Sequence, residues 1–238
     1  MDTAGCSIGM IQMNSPGAQQ RLWITFGRGD AVKYITHLDM MRAWERLVRR
    51  ARLPVTYSSS HPPRPRLAIA APLAVGVTSI GELLDIYLDA RLPVAQVTRR
   101  LVAECPSGFS ISEVQEVSMT LPSLQSLVRF SEYRVTLYGH LTMSELQEQV
   151  HTLLAATSLP RERRRDGEIR RYDLRPQVDS LWIAEWSARE AVLGMLLQTD
   201  EQATGRPDEV LAALGLAETM HSIQRVKLIL TRNCSRLG

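Results

Sequence analysis

Lysine is scarce in this chain, and long apolar segments are missing. Lys and Arg together number 28, but only Lys33 and Lys227 are lysines. No run of about 18 or more apolar residues appears, and no basic segment followed by an apolar one opens the chain, so the sequence predicts neither a membrane span nor a signal peptide. We therefore expect a cytoplasmic protein that does not contact the membrane.

Cysteine and the common active-site motifs are equally sparse. Cys6, Cys105 and Cys234 are spaced about a hundred residues apart, unlike a disulfide framework, a structural zinc site or an iron–sulfur cluster. The chain also lacks the phosphate-binding loop that ends in Lys-Ser/Thr, the Gly-x-Ser-x-Gly elbow, the His-Glu-x-x-His helix and the Gly-x-Gly-x-x-Gly turn. We therefore predict no metal and no cofactor, and the common enzyme classes lose their main support.

Arginine, in contrast, supplies almost all of the positive charge. Its planar guanidinium suits bidentate contacts to phosphate or carboxylate. A GC-rich genome produces the same bias without any function, and the net charge is only +3. The placement of the arginines is therefore more informative than their number.

The order of predicted elements indicates an α+β fold of two tandem ferredoxin-like βαββαβ units with antiparallel sheets. Residues 1–20 have few periodic apolar side chains, which predicts a disordered N-terminal tail. The first unit, 21–120, combines alternating apolar residues typical of strands with two amphipathic helices; its second helix is expected over 94–104 and its last strand over 109–117. The same order recurs over 130–233, with strands of the sheet expected over 169–174 and 191–197 and a helix bounded by Pro207 and Gly215. We expect helices on one face of the sheet in each unit.

The start of the first predicted helix concentrates polar side chains. Thr36 has the position of an N-cap and Asp39 that of the third helical residue, as in a capping box with Asp in place of Glu. Asp39 and Arg42 are three residues apart, so they share a face and can form an ion pair beside His37. His37 and Asp39 are therefore candidate catalytic residues. Capping and a surface ion pair explain the same pattern without any site.

Basic residues of this helix and of the proline-rich loop that follows it form a candidate nucleic-acid surface. If the helix and the loop lie near each other, the tyrosine and histidine of the loop could stack on the bases of single-stranded RNA. The residues of this predicted surface are Arg42, Arg46, Arg49, Arg50, Tyr57, His61, Arg64 and Arg66.

A second polar segment, Tyr172-Asp173-Leu174-Arg175-Pro176, follows an arginine-rich run that begins at Arg161. A hairpin with Asp166-Gly167 at its tip would project these arginines into solvent, where they could grip a phosphate backbone. Asp173 is a further candidate catalytic residue, and Arg175 a candidate for nucleic-acid binding. A solvated hairpin of a GC-rich protein has the same pattern.

Residues 21–89 resemble a bacterial family of unknown function, the radical-SAM-associated (radical-SAM-linked) proteins. The resemblance is carried by Tyr34-Ile35-Thr36-His37-Leu38-Asp39-Met40-Met41-Arg42, by Pro65-Arg66-Leu67 and by Gly81-Glu82. It implies a domain that is fused to a radical-SAM enzyme or encoded near one, in a context of RNA processing. Since the chain has no Cys-x-x-x-Cys-x-x-Cys motif, a stand-alone partner of such an enzyme is expected. The family's Gln-Gly-Phe-Asn-Pro-His-like loop is replaced here by Ser59-Ser60-His61-Pro62-Pro63-Arg64.

Three functions stay open at this point. The leading one is an accessory protein that binds tRNA or rRNA and presents it to a radical-SAM enzyme for modification. The second is an RNA-modifying enzyme in its own right, with Asp39 or Asp173 as base or nucleophile. The third is a protein–protein adaptor whose basic faces meet an acidic partner without RNA contact.

Overall fold

The computed structural model describes residues 17–139, 142–165, 168–200 and 203–231. They form a mixed α+β protein in which an eight-stranded, mostly antiparallel sheet carries a few helices. The strands are β1 (Gln20–Arg28), β2 (Leu67–Ile69), β3 (Thr78–Leu88), β4 (Phe109–Val117), β5 (Val128–Tyr138), β6 (Pro160–Arg165), β7 (Glu168–Asp173), β8 (Val178–Trp186), β9 (Glu190–Gln198) and β10 (His221–Leu230).

The helices are short and amphipathic, and within the described ranges none has the length and apolar composition needed to cross a membrane. The helices are α1 (His37–Arg50), α2 (Val94–Glu104), α3 (Leu124–Leu127), α4 (Met143–Ala155) and α5 (Pro207–Ala213). Single 3-10 turns lie at Asp30–Val32 and Arg175–Gln177.

The first half of the chain orders its strands β4-β1-β3-β2, with every neighbouring pair antiparallel. Because successive side chains of a strand point to opposite faces, Leu22 and Ile24 of β1 lie in the core that α1 and α2 cover. Trp23 lies on the opposite face, where it packs with Leu124 and Leu127 of α3. Both faces of the sheet in this half are therefore covered by helices, one by α1 and α2 and the other by α3.

The second half orders its strands β10-β5-β9-β8, again with antiparallel neighbours. Counted within each half, this is the same order as in the first. Val135 and Leu137 of β5 face a core closed by α4 and α5, which contribute Val150 and Leu211. The alternating residues of β5, Thr136 among them, are left on the face that these helices do not cover.

The two halves are joined edge to edge by β3 and β10. This pairing is parallel and short, with Gln224 opposite Thr78 and Arg225 opposite Ser79. Gly81 permits the close approach, because a Cβ there would lie 2.1 Å from the carbonyl oxygen of Val226. The sequence predicts a separate sheet in each unit, and the structure instead has one continuous sheet, since this edge pairing cannot be foreseen from local pattern.

A buried ion pair crosses the same junction. Nε of Arg225 donates to Oε1 of Glu82 at 2.8 Å, and its Nη1 and Nη2 donate to the carbonyl oxygens of Pro72 and Ala71 at 3.1 and 3.0 Å. Burial lowers the pKa of Arg225, but the charge of Glu82 and the hydrogen bonds to it raise that pKa above its ordinary value. The guanidinium therefore stays charged and ties β10 to β3.

One sequence prediction about the second half is wrong in part. The strand expected over residues 169–174 is β7, which pairs with β6 and not with the large sheet. Its expected place is taken by β8, whose register shifts between Val178 and Ser180 and again between Ile183 and Glu185. These irregularities break the period of two by which a strand is recognised.

Only the end of the predicted N-terminal tail, 1–20, lies among the described residues. Residues 1–16 lie outside the described residues. Gln20, the last residue of the predicted tail, is the first residue of β1 and is buried.

Candidate functional site

The start of α1 has the capping geometry that the sequence predicts. The backbone N–H of Asp39 donates to Oγ1 of Thr36 at 3.2 Å, and that hydroxyl donates to Oδ2 of Asp39 at 2.7 Å. Nη1 of Arg42 lies 3.6 Å from Oδ1 of Asp39. The hydrogen bond from Thr36 and the nearby Arg42 hold the pKa of Asp39 below its ordinary value. Asp39 is therefore a weak base near neutral pH, and the exposed His37 begins the helix beside it.

Asp173 is held in the same way by backbone groups. Its Oδ1 accepts hydrogen bonds from the N–H groups of Leu159 at 2.7 Å and Arg175 at 2.9 Å, and these contacts lower the pKa of Asp173. Arg175 donates to the carbonyl oxygens of Val178 at 2.7 Å and Leu154 at 3.0 Å. Both side chains therefore close the turn between β7 and β8.

The proline-rich loop is folded back on itself as a narrow turn. Tyr57, 47% exposed, pairs with Pro65, and the N–H of Ser58 donates to the carbonyl oxygen of Arg64 at 2.8 Å. His61 and Arg64 are exposed at its tip. The loop therefore presents these side chains to solvent.

Arg66, at the end of this loop, does not join the arginines of α1. The guanidinium of Arg66 lies over the ring of Tyr87, 4.2 Å from its centroid. Arg66 and Tyr87 alternate with Leu67 and Ile86, which face the core under α1. Arg66 therefore lies on the opposite face of the sheet from α1, and the single patch considered from the sequence is not formed.

The helices of the first half carry a basic surface of their own, which we call the α1–α2 surface. Arg46 and Arg49 are exposed and have no hydrogen-bond or ion-pair partner in the described part of the chain. Nε of Arg50 lies 3.0 Å from Oε2 of Glu104, which links α1 to the end of α2. The surface comprises Arg42, Arg46, Arg49, Arg50, Arg52, Arg99 and Arg100.

These seven arginines are accompanied by only three carboxylates on the same segments, those of Asp39, Glu45 and Glu104. The α1–α2 surface therefore carries more net positive charge than the whole chain, whose net charge is +3. A codon bias alone would spread arginine among compensating carboxylates, whereas here the positive charge is concentrated on one layer.

The arginine-rich hairpin predicted from the sequence is confirmed as β6 and β7, which pair from Pro160 opposite Asp173 to Arg165 opposite Glu168. Its expected tip, Asp166-Gly167, lies outside the described residues. The base is closed by the N–H of Leu174, which donates to the carbonyl oxygen of Leu159 at 2.9 Å. The hairpin is therefore a two-stranded insertion beside the large sheet.

A groove of about 850 Å³ opens at the junction of the two halves. Since β3 pairs with β10 only at Gln224 and Arg225, the preceding residues of β10 border this groove instead of a strand. Its lining brings together Lys33, Tyr34 and Thr78 from the first half with Arg134, Thr136, Tyr138, Glu190, Arg206, Asp208 and Gln224 from the second.

The charges in this junction groove are mixed. Nζ of Lys33 donates to Oδ1 of Asp30 at 2.9 Å, and this contact raises the pKa of Lys33. Nη1 of Arg134 lies 3.6 Å from Oε1 of Glu185. Tyr34 is 71% and Tyr138 40% exposed. None of these residues is a candidate from the sequence, because they are far apart in the chain and belong to no local motif.

Metal binding and thiol chemistry find no support in the described ranges. No group of three or more His, Cys, Asp or Glu side chains there could hold a metal ion. Cys105 is half-buried, and burial raises the pKa of its thiol, which disfavours the reactive thiolate. Cys6 and Cys234 lie outside the described residues.

The fold and these surfaces define a mixed α+β protein with a basic helix layer and a polar groove at its centre. The chain belongs to the family described as "Uncharacterized protein conserved in bacteria (DUF2344)", whose model matches residues 21–207. No curated protein matches the sequence.

Solved structures with a detectable likeness include chains of two complexes. One is from "Crystal Structure of a Cbf5-Nop10-Gar1 Complex", at 9% identity and a TM-score of 0.45, with 86% of this chain and 48% of that chain covered. The other is from "Structure of H/ACA RNP bound to a substrate RNA containing 2'-deoxyuridine", at 11% identity and a TM-score of 0.41, with 84% and 46% covered. This chain thus spans about half the length of each. Both TM-scores lie below 0.5, so these likenesses say nothing about the function of this chain.

Proposed function

We propose that this protein binds RNA through the α1–α2 surface and serves as an accessory partner of a radical-SAM enzyme in the cytoplasm. The observation that carries the RNA part is the concentration of seven arginines on one helix layer, where Arg46 and Arg49 form no hydrogen bond or ion pair within the described residues. Guanidinium groups that form no ion pair within the protein are available to bind phosphate oxygens. The radical-SAM part rests on the family resemblance of residues 21–89.

The hairpin supports the same proposal. Arg161 and Arg171 belong to an insertion that carries six arginines and pairs with no strand of the large sheet. Exposed Arg171 is paired with Glu162 at 2.8 Å, and such a surface pair is worth little and can be replaced by a phosphate. The hairpin is therefore a second basic element that RNA can engage. Tyr57, His61, Arg64 and Arg66, on the loop side of the first half, would form a separate contact.

The alternative of a self-sufficient RNA-modifying enzyme is disfavoured by the two candidate carboxylates. A general base works best with a pKa near the working pH, whereas Asp39 and Asp173 have pKa values below the ordinary range. Oδ1 of Asp173 also accepts hydrogen bonds from two backbone N–H groups. Both residues are better explained as elements that fix a helix start and a turn.

We further propose that each half is a ferredoxin-like unit. The shared strand order, β4-β1-β3-β2 and β10-β5-β9-β8, supports this, as does the placement of two helices over one face in each half. On this interpretation the β6–β7 hairpin is an insertion between the first helix and the second sheet strand of the second unit.

The test of RNA binding is a fluorescence-anisotropy titration of labelled tRNA, with duplex DNA as competitor, across a salt series. The Arg46→Glu/Arg49→Glu variant should weaken binding and make the slope of log Kobs against log salt shallower by about 1.4, because each phosphate neutralised on a single strand accounts for about 0.7 of that slope. Arg129→Glu/Arg189→Glu makes the same change of net charge at exposed sites away from α1, neither of them in an ion pair of the described residues, and should leave the slope unchanged.

The outcomes separate the proposal from its rivals. Equal effects of the two double variants would mean that net charge alone matters, and absence of RNA binding by the wild type at low salt would leave only the protein–protein adaptor. The radical-SAM partnership is tested by co-expression with radical-SAM enzymes from the same genome. A complex that elutes together on gel filtration supports the partnership, and separate elution contradicts it.

A further inference from the structure

The junction groove has the size and the lining of a binding site rather than of a packing defect. Its volume of about 850 Å³ falls within the few hundred to about a thousand Å³ typical of pockets for small ligands. Two tyrosines border it with large exposed fractions, 71% for Tyr34 and 40% for Tyr138. Aromatic rings left open to solvent at a concave site are suited to stack on a flat ligand.

The polar groups of the groove can both donate and accept hydrogen bonds. Gln224 supplies an amide and Thr136 a hydroxyl on the same open face of the sheet, one from β10 and one from β5. Glu190 lies opposite Tyr138 in the β5–β9 pairing and, like Asp208, has no ion-pair partner among the described residues. Free carboxylates repel phosphate, so the groove does not suit a sugar–phosphate backbone running along it.

The same carboxylates suit the edge of a nucleobase. Cytosine, adenine and guanine each carry an exocyclic amino group that a carboxylate can accept from, whereas uracil carries a carbonyl oxygen at that position. Single-stranded RNA is commonly read by bases splayed out of the strand, stacked on aromatic side chains and hydrogen-bonded along their edges. Stacking, amino-group recognition and pocket size therefore point to one class of ligand.

The groove also lies beside the segment that leads into α1. Lys33 and Tyr34 lie in the wall of the groove and precede α1 by a few residues. Nζ of Lys33 lies 5.4 Å from the ring centroid of Tyr34, so a cation stands at the mouth of the groove beside a stacking surface. An RNA strand whose phosphates are bound on α1 can thus place one base past Lys33 in the groove.

We infer that the junction groove receives a single unpaired nucleobase of the bound RNA, with Tyr34 and Tyr138 as stacking residues and Glu190 as acceptor of an exocyclic amino group. This inference rests on the proposed RNA binding and assigns the groove the selection of the nucleotide. The preferred base is one with an amino group, and uracil is disfavoured.

The experiment uses the full chain and unstructured uridine oligonucleotides in which one central base is varied. Anisotropy gives the affinity, and 2-aminopurine at the central position reports stacking through quenching of its fluorescence. The wild type should bind an oligonucleotide with central A, C or G more tightly than the all-uridine one and should quench 2-aminopurine. Tyr34→Ala and Tyr138→Ala should weaken binding about 5- to 100-fold and abolish quenching, because base–aromatic stacking contributes on that scale.

Two further variants sharpen the result. Glu190→Gln should reduce the preference over uridine, since the amide loses the charge that favours an amino donor. Trp186→Ala removes an exposed aromatic side chain outside the groove and should change neither signal.

The inference and the proposed function fail in different ways. If the wild type binds RNA and Arg46→Glu/Arg49→Glu weakens it, while the groove variants match the wild type in affinity and quenching, the inference is overturned and RNA binding stands. If the wild type binds no RNA, both fall together.

Discussion

Arg225 of β10 and Glu82 of β3 form a buried ion pair across the junction, with side chains only 1% and 2% exposed. The pair joins the last strand of the second half to a strand of the first. Two further hydrogen bonds to the carbonyl oxygens of Ala71 and Pro72 fix the segment that leads into the junction groove. The position of the groove wall therefore depends on this guanidinium.

Removing one partner should destabilise the whole protein. Glu82→Gln leaves Arg225 buried without its counter-charge, and the loss expected for a broken buried pair is about 3–5 kcal/mol. Urea unfolding measures the change. Lys227 lies on β10, like Arg225, and its Nζ is 3.0 Å from Oε2 of Glu132 on β5. Lys227→Ala breaks this pair and should cost under about 1 kcal/mol, because the lysine is exposed. Similar losses for both variants would contradict this account of the junction.

Gly81 should be less tolerant of a side chain than Gly194, although both positions are crowded. A Cβ at Gly81 would meet backbone atoms of Val226, whereas at Gly194 it would meet the ring of Trp182 at 2.0 Å, which can rotate away. Gly81→Ala should therefore lower the urea midpoint and loosen the β3–β10 contact. Gly194→Ala should instead shift the tryptophan fluorescence, at the cost of about 1–3 kcal/mol typical of overpacking. A Gly81→Ala protein as stable as the wild type would rule out the close approach.

Acid should remove the contribution of Asp173. Since the folded-state pKa lies below the ordinary value, this carboxylate stabilises the protein fully above about pH 4 and loses that effect as the pH falls through the lowered pKa. Urea midpoints of wild type and Asp173→Asn should thus differ at pH 7 and converge on acidification. Asp179→Asn, at an exposed position of β8, serves as control. A constant difference across the pH range would show that the charge plays no part.

Shortening the hairpin should affect RNA binding but not stability. Its base is closed by the hydrogen bond between Leu174 and Leu159, so replacing residues 163–170 with a short Gly/Ser loop leaves both cores intact. Thermal unfolding should be unchanged, while the salt slope of tRNA binding falls by about 0.7 for each phosphate that the hairpin no longer neutralises. A lower melting temperature would mean that the hairpin supports the fold instead.

Elements with clean local signals could be predicted from the sequence to the residue. Helix α2 and strand β4 have the expected bounds, and the cap at Thr36 forms as predicted, because side-chain period and capping chemistry act within a few residues. Strand β8 could not be predicted, since its irregular register hides the alternation. The pairing of β3 with β10 depends on residues at opposite ends of the chain and leaves no local trace.

The candidate surfaces also differ in whether local sequence patterns or contacts between distant residues determine them. The arginines of α1 follow from helical spacing, so this face could be anticipated, whereas the placement of Arg66 on the opposite face depends on the alternation within a strand of three residues. The junction groove was missed entirely. Tyr34, Arg134 and Gln224 meet only because two sheet edges come together, and single residues of common types carry no signal of their own.

The late position of β10 in the chain has a consequence for synthesis. The strands of the first half are all made before β5 appears, but the β3 edge that borders the groove stays open until the last strand of the sheet emerges. Pairings between distant segments form late in folding, because the intervening chain must first be ordered. The groove thus arises only when both halves are complete, and whatever it binds will distinguish finished molecules from nascent ones.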